Sequence, residues 1–163
     1  MDRLIRSAKF KKAQAGLRAG FDQFLADLVT LTEIEAPSFG EEKRGKKFMQ
    51  MLQKEGLDLV EMDDVGNVIG TRKGTGSGRV VVAAHLDTVF AAGTDLRVRR
   101  DGMRWYAPGI CDDTRGLASL LALVRAMNFA GVMTQRYASE EGRLVKAGAK
   151  NDYRSYGHHY DQE

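Results

Sequence analysis

The sequence lacks any run close to the roughly 20 consecutive apolar residues that cross a bilayer. No apolar segment follows its basic start as a secretory signal would, so a cytoplasmic protein with no membrane partner is expected. It has one cysteine, Cys111, which excludes an internal disulfide and, although its place beside Asp112 invites a thiolate-ligand reading, reads as a small buried thiol packing its loop. Aromatics are missing from the basic start except for Phe10. Arg3, Arg6, Lys9, Lys11, Lys12 and Arg18 therefore offer no stacking platform for single strands, and no nucleic-acid partner is expected although the formal net charge is +3. Residues 1–20 read as a solvated helix face or a loose basic extension. The glycine-rich stretch Lys73 to Gly78 lacks the Gly-Lys-Ser/Thr ending and the following helix of a phosphate loop, and reads as a connection between strands.

What is present is enough for one domain with a core: 163 residues, 43% of them hydrophobic. Phe21, Phe24, Leu25, Leu28 and Val29 recur at helical spacing until Pro37 bars continuation. Ser38 and Glu41 form a capping-box signal for a second helix that packs Phe48, Met49 and Leu52 and stops near Gly56. Leu57 to Met62, a turn at Asp63 to Gly66, and Val68 to Thr71 read as paired strands. Asp101-Gly102 marks a hairpin between Leu96 to Arg99 and Met103 to Tyr106. Leu117, Leu120, Leu121, Val124 and Met127 define an amphipathic helix ending near Gly131. Strands separated by helices predict a three-layer α/β arrangement around a mixed sheet.

Two stretches carry the chemistry. Arg79 to Ala84 has the β-branched and small residues of a strand buried on both faces, and it delivers His85-Leu86-Asp87 at its carboxyl end, where open α/β sheets place ligands. His85 and Asp87, two apart, share one side of an extended backbone, so Asp87 is suited to hold the second ring nitrogen of a metal-bound His85. Asp112 and Asp113 stand where an apolar helical pattern begins, and the partial positive charge there favours carboxylate. Taken alone, the first pair is also a chance His-x-Asp and the second an ordinary helix cap.

Gly66 to Gly70, the strand Arg79 to Val89, and Ala107 to Asn128 follow one another in an order and spacing that resemble the co-catalytic zinc peptidases and deacylases, which include peptidase T, glutamate carboxypeptidase, acetylornithine deacetylase and aminoacylase. The resemblance covers residues 21–134 and implies a truncated zinc-exopeptidase-like catalytic domain. It implies that His85 binds one metal, that Asp112 bridges two, and that Asp87 is the supporting acid. The cofactor would be two zinc ions, with cobalt or manganese as substitutes. The substrate would be a peptide or N-acyl amino acid, cleaved at its amide bond. By the same resemblance Glu140 would be the general base and Glu141 a metal ligand, although Ser139-Glu140-Glu141-Gly142 follows the helix too soon and without an apolar strand before it. Asp113, Thr114 and Arg115 are given loop-shaping roles only.

Residues 135–163 depart from the family pattern. Beyond Gly142 there is little apolar content other than Leu144 and Val145, which predicts a disordered, unrelated or frameshifted tail in which His158-His159 is solvated. The family's remaining ligands and its dimerising lid domain have no counterpart. The expectation is a weakly active or inactive hydrolase fragment, with a homodimer left open. The alternative is a non-catalytic module that associates with itself or with a full-length relative through an unpaired sheet edge.

Overall fold

The amino-terminal basic residues fold onto the domain by way of a narrow stripe. In the computed structural model, which describes residues 2–75, 79–132, 134–135 and 143–148, a short helix α1 (Asp2–Ile5) leads to α2 (Ala8–Ala19). Ser7 caps α2 by accepting from the Phe10 amide at 3.2 Å. No residue of α2 is buried, but Phe10, Ala13 and Gly16, three apart, are half-covered. Gly16 lies so close to the ring of Phe129 that a Cβ there would come within 2.9 Å of it, and the Lys12 ammonium sits 5.7 Å from the same ring centroid. The expected basic extension thus contains a docked helix, α2, with a solvated face, continuous through Gly20 with α3 (Phe21–Thr32).

Helix α3 turns Leu28 and Leu31 inward while Phe21 stays exposed, so its core face begins a turn later than the apolar spacing indicates. Helix α4 (Glu42–Gln53) buries Phe48, Met51 and Leu52. Gly45 lets its backbone approach the sheet, since a Cβ there would lie 3.2 Å from Met62 and 3.3 Å from Leu86. Strands β1 (Leu59–Met62) and β2 (Val68–Arg72) pair antiparallel across the predicted turn, with Met62 opposite Val68. Asp63 closes that turn by accepting from the Asn67 amide at 2.7 Å.

A two-residue strand β3 (Gly74–Thr75) precedes β4 (Val81–His85), the strand that ends at the candidate site. The hairpin forms as β5 (Arg99–Asp101) and β6 (Arg104–Tyr106). Asp101 pairs with Arg104, so Gly102, at φ 55°, opens the two-residue turn. Helix α5 (Arg115–Ala130) ends at Gly131 in the left-handed conformation, as the periodicity predicts. Short β7 (Thr134–Gln135) pairs parallel with β3.

Of residues 135–163, expected from the sequence to be a disordered tail, the described ones are Gln135 in β7 and Arg143–Gly148, which forms β8 between β2 (antiparallel) and β4 (parallel). A strand with ladders on both sides satisfies its backbone groups whatever its side chains, which is why sparse apolar content did not exclude it. The order β1-β2-β8-β4 makes a mixed sheet, and the α/β architecture expected from the sequence is present.

Leu31, Phe48, Leu52, Val68, Leu86, Leu117, Leu121 and Val124 form the core between the sheet and α3, α4 and α5. β4 is not buried on both faces. Val80, Val81 and Val82 are 51%, 41% and 37% exposed, because β4 is an edge of the described sheet and only Ala84 reaches the core. Among the described residues no helix is long and apolar enough to cross a membrane.

One ion network ties the helices together: Arg125 on α5 donates to buried Asp27 on α3 and, at 2.7 Å, to Glu55 after α4. Burial alone would lower the Arg125 pKa, but the hydrogen bonds and charges of Asp27 and Glu55 outweigh it and raise it. Replacing Arg125 with Ala leaves the buried Asp27 carboxylate with the Gln23 amide, at 2.9 Å, but without its charged partner, and is expected to cost about 3 kcal/mol. Equilibrium urea unfolding reads this, and an unchanged midpoint would mean that Gln23 alone satisfies Asp27.

Candidate metal centre

The end of β4 is held by bonds from three other segments. The His85 amide donates to Asp113 Oδ2 at 3.2 Å, and the Leu86 carbonyl accepts from Arg44 Nη1 at 2.8 Å. The Thr88 amide donates to the Ala36 carbonyl at 2.7 Å, beside a parallel bridge between Pro37 and Thr88. Leu86, fully buried, anchors the segment in the core.

Asp87 lies just beyond the strand with its side chain at 0% exposure. Its Oδ1 stands 3.1 Å and its carbonyl oxygen 2.9 Å from His85 Nδ1, and its Oδ2 accepts from Ser38 Oγ at 3.1 Å. Both partners of Nδ1 are acceptors, so Nδ1 carries the hydrogen. The opposite nitrogen, Nε2, faces Asp112 Oδ1 at 2.9 Å. Exposure rises outward, from 0% for the Asp87 side chain to 27% for His85 and 82% for Asp112.

Asp112 reaches this position on a π-type turn, Ile110–Thr114, that runs directly into α5. Buried Ile110 fixes the turn against Leu28 and Ala118, with Phe24, Val98, Trp105 and Ala107 around them. Gly109, at φ 74°, packs against Thr88 so closely that a Cβ would meet its Cγ2 at 2.7 Å, which locks the turn to the β4 segment. Cys111 is exposed, contrary to the buried thiol expected, because Ile110 takes the inward position of the turn.

The structure therefore brings together His85, Asp87 and Asp112. Glu140 and Glu141 lie outside the described residues, as do His158 and His159. Among the described residues there is no group of three or more His, Cys, Asp or Glu side chains that could hold a metal. The donor chemistry suits a borderline cation: with Nδ1 committed, the Nε2 lone pair and a carboxylate oxygen face each other, and a shared proton or a cation between them would satisfy both. Two donors fill half of a zinc shell.

Three supporting residues were not assigned to the site from sequence. Ser38 does not form the predicted capping box. Its hydroxyl turns to Asp87, Glu41 Oε1 accepts from the Phe39 amide instead, and α4 starts with no side-chain cap from Glu41. Arg44 is wholly buried, donating through Nε and Nη2 to the Ile34 carbonyl at 3.1 and 2.6 Å as well as to Leu86. Its position four before Phe48 and eight before Leu52 puts it on the core face of α4, a signal the sequence does contain. Burial pulls the Arg44 guanidinium down to about 10, against the opposing charge of Asp87, so it stays protonated near neutral pH. The third, Asp113, accepts from two backbone amides, those of His85 and Gly116.

Comparison with known proteins matches residues 81–151 to the family model described as Peptidase family M20/M25/M40. A Pyrococcus abyssi protein described as a LysW-lysine/LysW-ornithine hydrolase is 32% identical over 128 residues, 76% of this chain and 36% of that protein. The resemblance read from the sequence is thus to the M20 peptidase family. Carboxypeptidase G2 of a Pseudomonas strain is 34% identical over 68 residues, 40% of this chain and 16% of that enzyme. Among solved structures, aminopeptidase PepT of Bacillus cereus superposes with a TM-score of 0.65 at 18% identity, covering 78% of this chain and 36% of PepT. The dipeptidase Dug1p of Saccharomyces cerevisiae gives 0.68 at 17% identity, covering 84% and 34%. The fold is that of part of an M20 catalytic domain, and the chain spans about a third of the length of the Pyrococcus protein, PepT and Dug1p and 16% of carboxypeptidase G2.

Arg44 offers a direct test of how the candidate site is supported. Arg44→Met leaves the Ile34 and Leu86 carbonyls without their donor and the Asp87 carboxylate without a nearby positive charge, and an expected loss of about 3–5 kcal/mol follows from breaking a buried charged network. Guanidinium-induced unfolding measures it; a variant as stable as the parent would show that water replaces the guanidinium.

Proposed function

We propose that this chain carries part of the site of a metal-dependent hydrolase of peptide or amide bonds, acting on a peptide or N-acyl amino acid in the cytoplasm. The observation that carries the reading is the approach of His85 Nε2 to Asp112 Oδ1 at 2.9 Å while Asp87 holds the other ring nitrogen. In this reading His85 and Asp112 hold metal, with zinc as the first candidate and cobalt or manganese as substitutes, and Glu140 and Glu141 supply the general base and a further ligand.

A bound divalent metal supplies the positive charge that polarises an amide carbonyl and acidifies water. The protein's own contribution is orientation. Asp87 fixes which ring nitrogen is free, and its full burial keeps water from competing for Nδ1. Asp112 lies on the exposed rim, where it would meet an arriving substrate. The Glu140 carboxylate, as general base, would take a proton from the attacking water and return it to the leaving amine.

A second reading, a non-catalytic module that pairs through β4 with a copy of itself or with a full-length relative, is favoured by the exposed Val80, Val81 and Val82 on that edge. Sedimentation equilibrium separates the two: a dimer dissolved by Val82→Lys, without zinc binding, supports the module, and a monomer that binds zinc supports the hydrolase.

Zinc titration calorimetry on the full chain is the principal test. Saturable binding is expected, lost in the His85→Ala/Asp112→Ala double variant, and a screen of dipeptides and N-acyl amino acids should follow. Binding that survives the double variant would place the metal elsewhere and sink the assignment of these residues.

A further inference from the structure

We propose that Asp113 is a positioning residue for the candidate metal centre, its carboxylate joining the end of β4 to the start of α5 and so setting the distance between His85 and Asp112. The proposal rests on the metal-binding reading above.

Its two oxygens have separate tasks. Oδ2 accepts from the backbone amide of His85 at 3.2 Å, and Oδ1 accepts from the amide of Gly116 at 3.1 Å. The second bond serves one of the amides that a helix start leaves without an intrahelical partner. Thr114, at the cap position, makes no side-chain capping bond, so Asp113 takes over that duty from the preceding residue. Space for the carboxylate exists only because residue 116 is glycine: a Cβ there would lie 2.1 Å from Oδ1 and 2.6 Å from Cγ.

The consequence for the site is geometric. His85 and Asp112 are separated by a long connection that includes the β5–β6 hairpin, and ordering such a loop is opposed by its entropy. Asp113 adjoins Asp112 in the chain and grips His85 through its backbone. A closed circuit results: His85 amide, Asp113 carboxylate, Asp113 backbone, Asp112 side chain, His85 ring. Asp112 itself is largely exposed and has little packing to hold it. A residue that anchors both donors at once determines whether they converge.

The test uses the full chain and four variants: Asp113→Asn, Asp113→Ala, Gly116→Ala and the Asp113→Ala/Gly116→Ala double. Two quantities are read, the zinc dissociation constant by calorimetry and the hydrogen-exchange rate of the His85 amide by NMR. Each single variant is expected to weaken zinc about 10–100-fold, the range for residues that support metal ligands. Asp113→Ala and Gly116→Ala should also speed exchange at His85. In the double variant Gly116→Ala should add nothing, since its Cβ can expel only a carboxylate that is present; independent structural damage would add instead.

Asp113→Asn keeps the side-chain volume and one acceptor oxygen, so it reports on the site if the alanine variants do not fold. Zinc affinity unchanged in Asp113→Asn, or additive losses in the double variant, would overturn the proposal. If the parent chain binds no zinc, the metal reading fails and the positioning role is judged on the His85 imidazole nitrogen shifts alone. Those shifts move in Asp113→Asn if Asp113 sets the ring's position and stay fixed if it does not.

Discussion

An aspartate side chain with no exposure to water is the constraint on which this structure turns. A carboxylate removed from solvent must be met by donors or by positive charge. Asp87 is met by the Ser38 hydroxyl and the His85 ring, with the Arg44 guanidinium close enough to interact electrostatically. Each of these comes from a different part of the chain, so satisfying Asp87 requires the loop after α3, the first turn of α4 and the end of β4 to be in register. Arg44 does double duty, because its three donated bonds tie the Ile34 and Leu86 carbonyls together behind the site. The candidate centre is the outer surface of that arrangement.

The elements were legible where one face of the chain is apolar at a fixed period. The core faces of α4 and α5 could be read because Phe48 with Leu52, and Leu117, Leu120, Leu121 and Val124, repeat at helical spacing and are all buried. The β1–β2 turn and the β5–β6 hairpin could be read from Asp and Gly at positions that demand special backbone geometry, as at Gly66 and Gly102 with φ of 88° and 55°. His85, Asp87 and Asp112 were also singled out from sequence, and they are adjacent in space.

Legibility failed where a residue's partner is distant in sequence. Ser38 and Glu41 have the spacing of a local cap, but a buried carboxylate 49 residues away is a stronger claimant for the hydroxyl. Arg44 was passed over because a charged residue on a core face conflicts with the usual rule, and its acceptors, Ile34 and Leu86, are backbone carbonyls that leave no trace in side-chain pattern. β8 was missed because strand pairing satisfies amides and carbonyls irrespective of side-chain hydropathy. β4 shows the reverse error: an apolar run was taken as buried on both faces, whereas among the described residues it lies at the sheet's edge with three valines exposed.

The outward rise in exposure from Asp87 through His85 to Asp112 gives the three residues different mechanical characters. Asp87 cannot move without uncovering unpaired polar groups, and it immobilises one side of the imidazole. The His85 ring is therefore fixed by the core. Asp112 is fixed by the loop. Any variation in how this site meets a cation must enter through the Ile110–Thr114 turn, whose attachments are the apolar seat of Ile110, the close contact of Gly109 with Thr88, and the Asp113 carboxylate. The first two set the height of the turn against the domain. Only the third reaches His85 directly, so the match between a rigid donor and a mobile one depends on a residue that is itself neither.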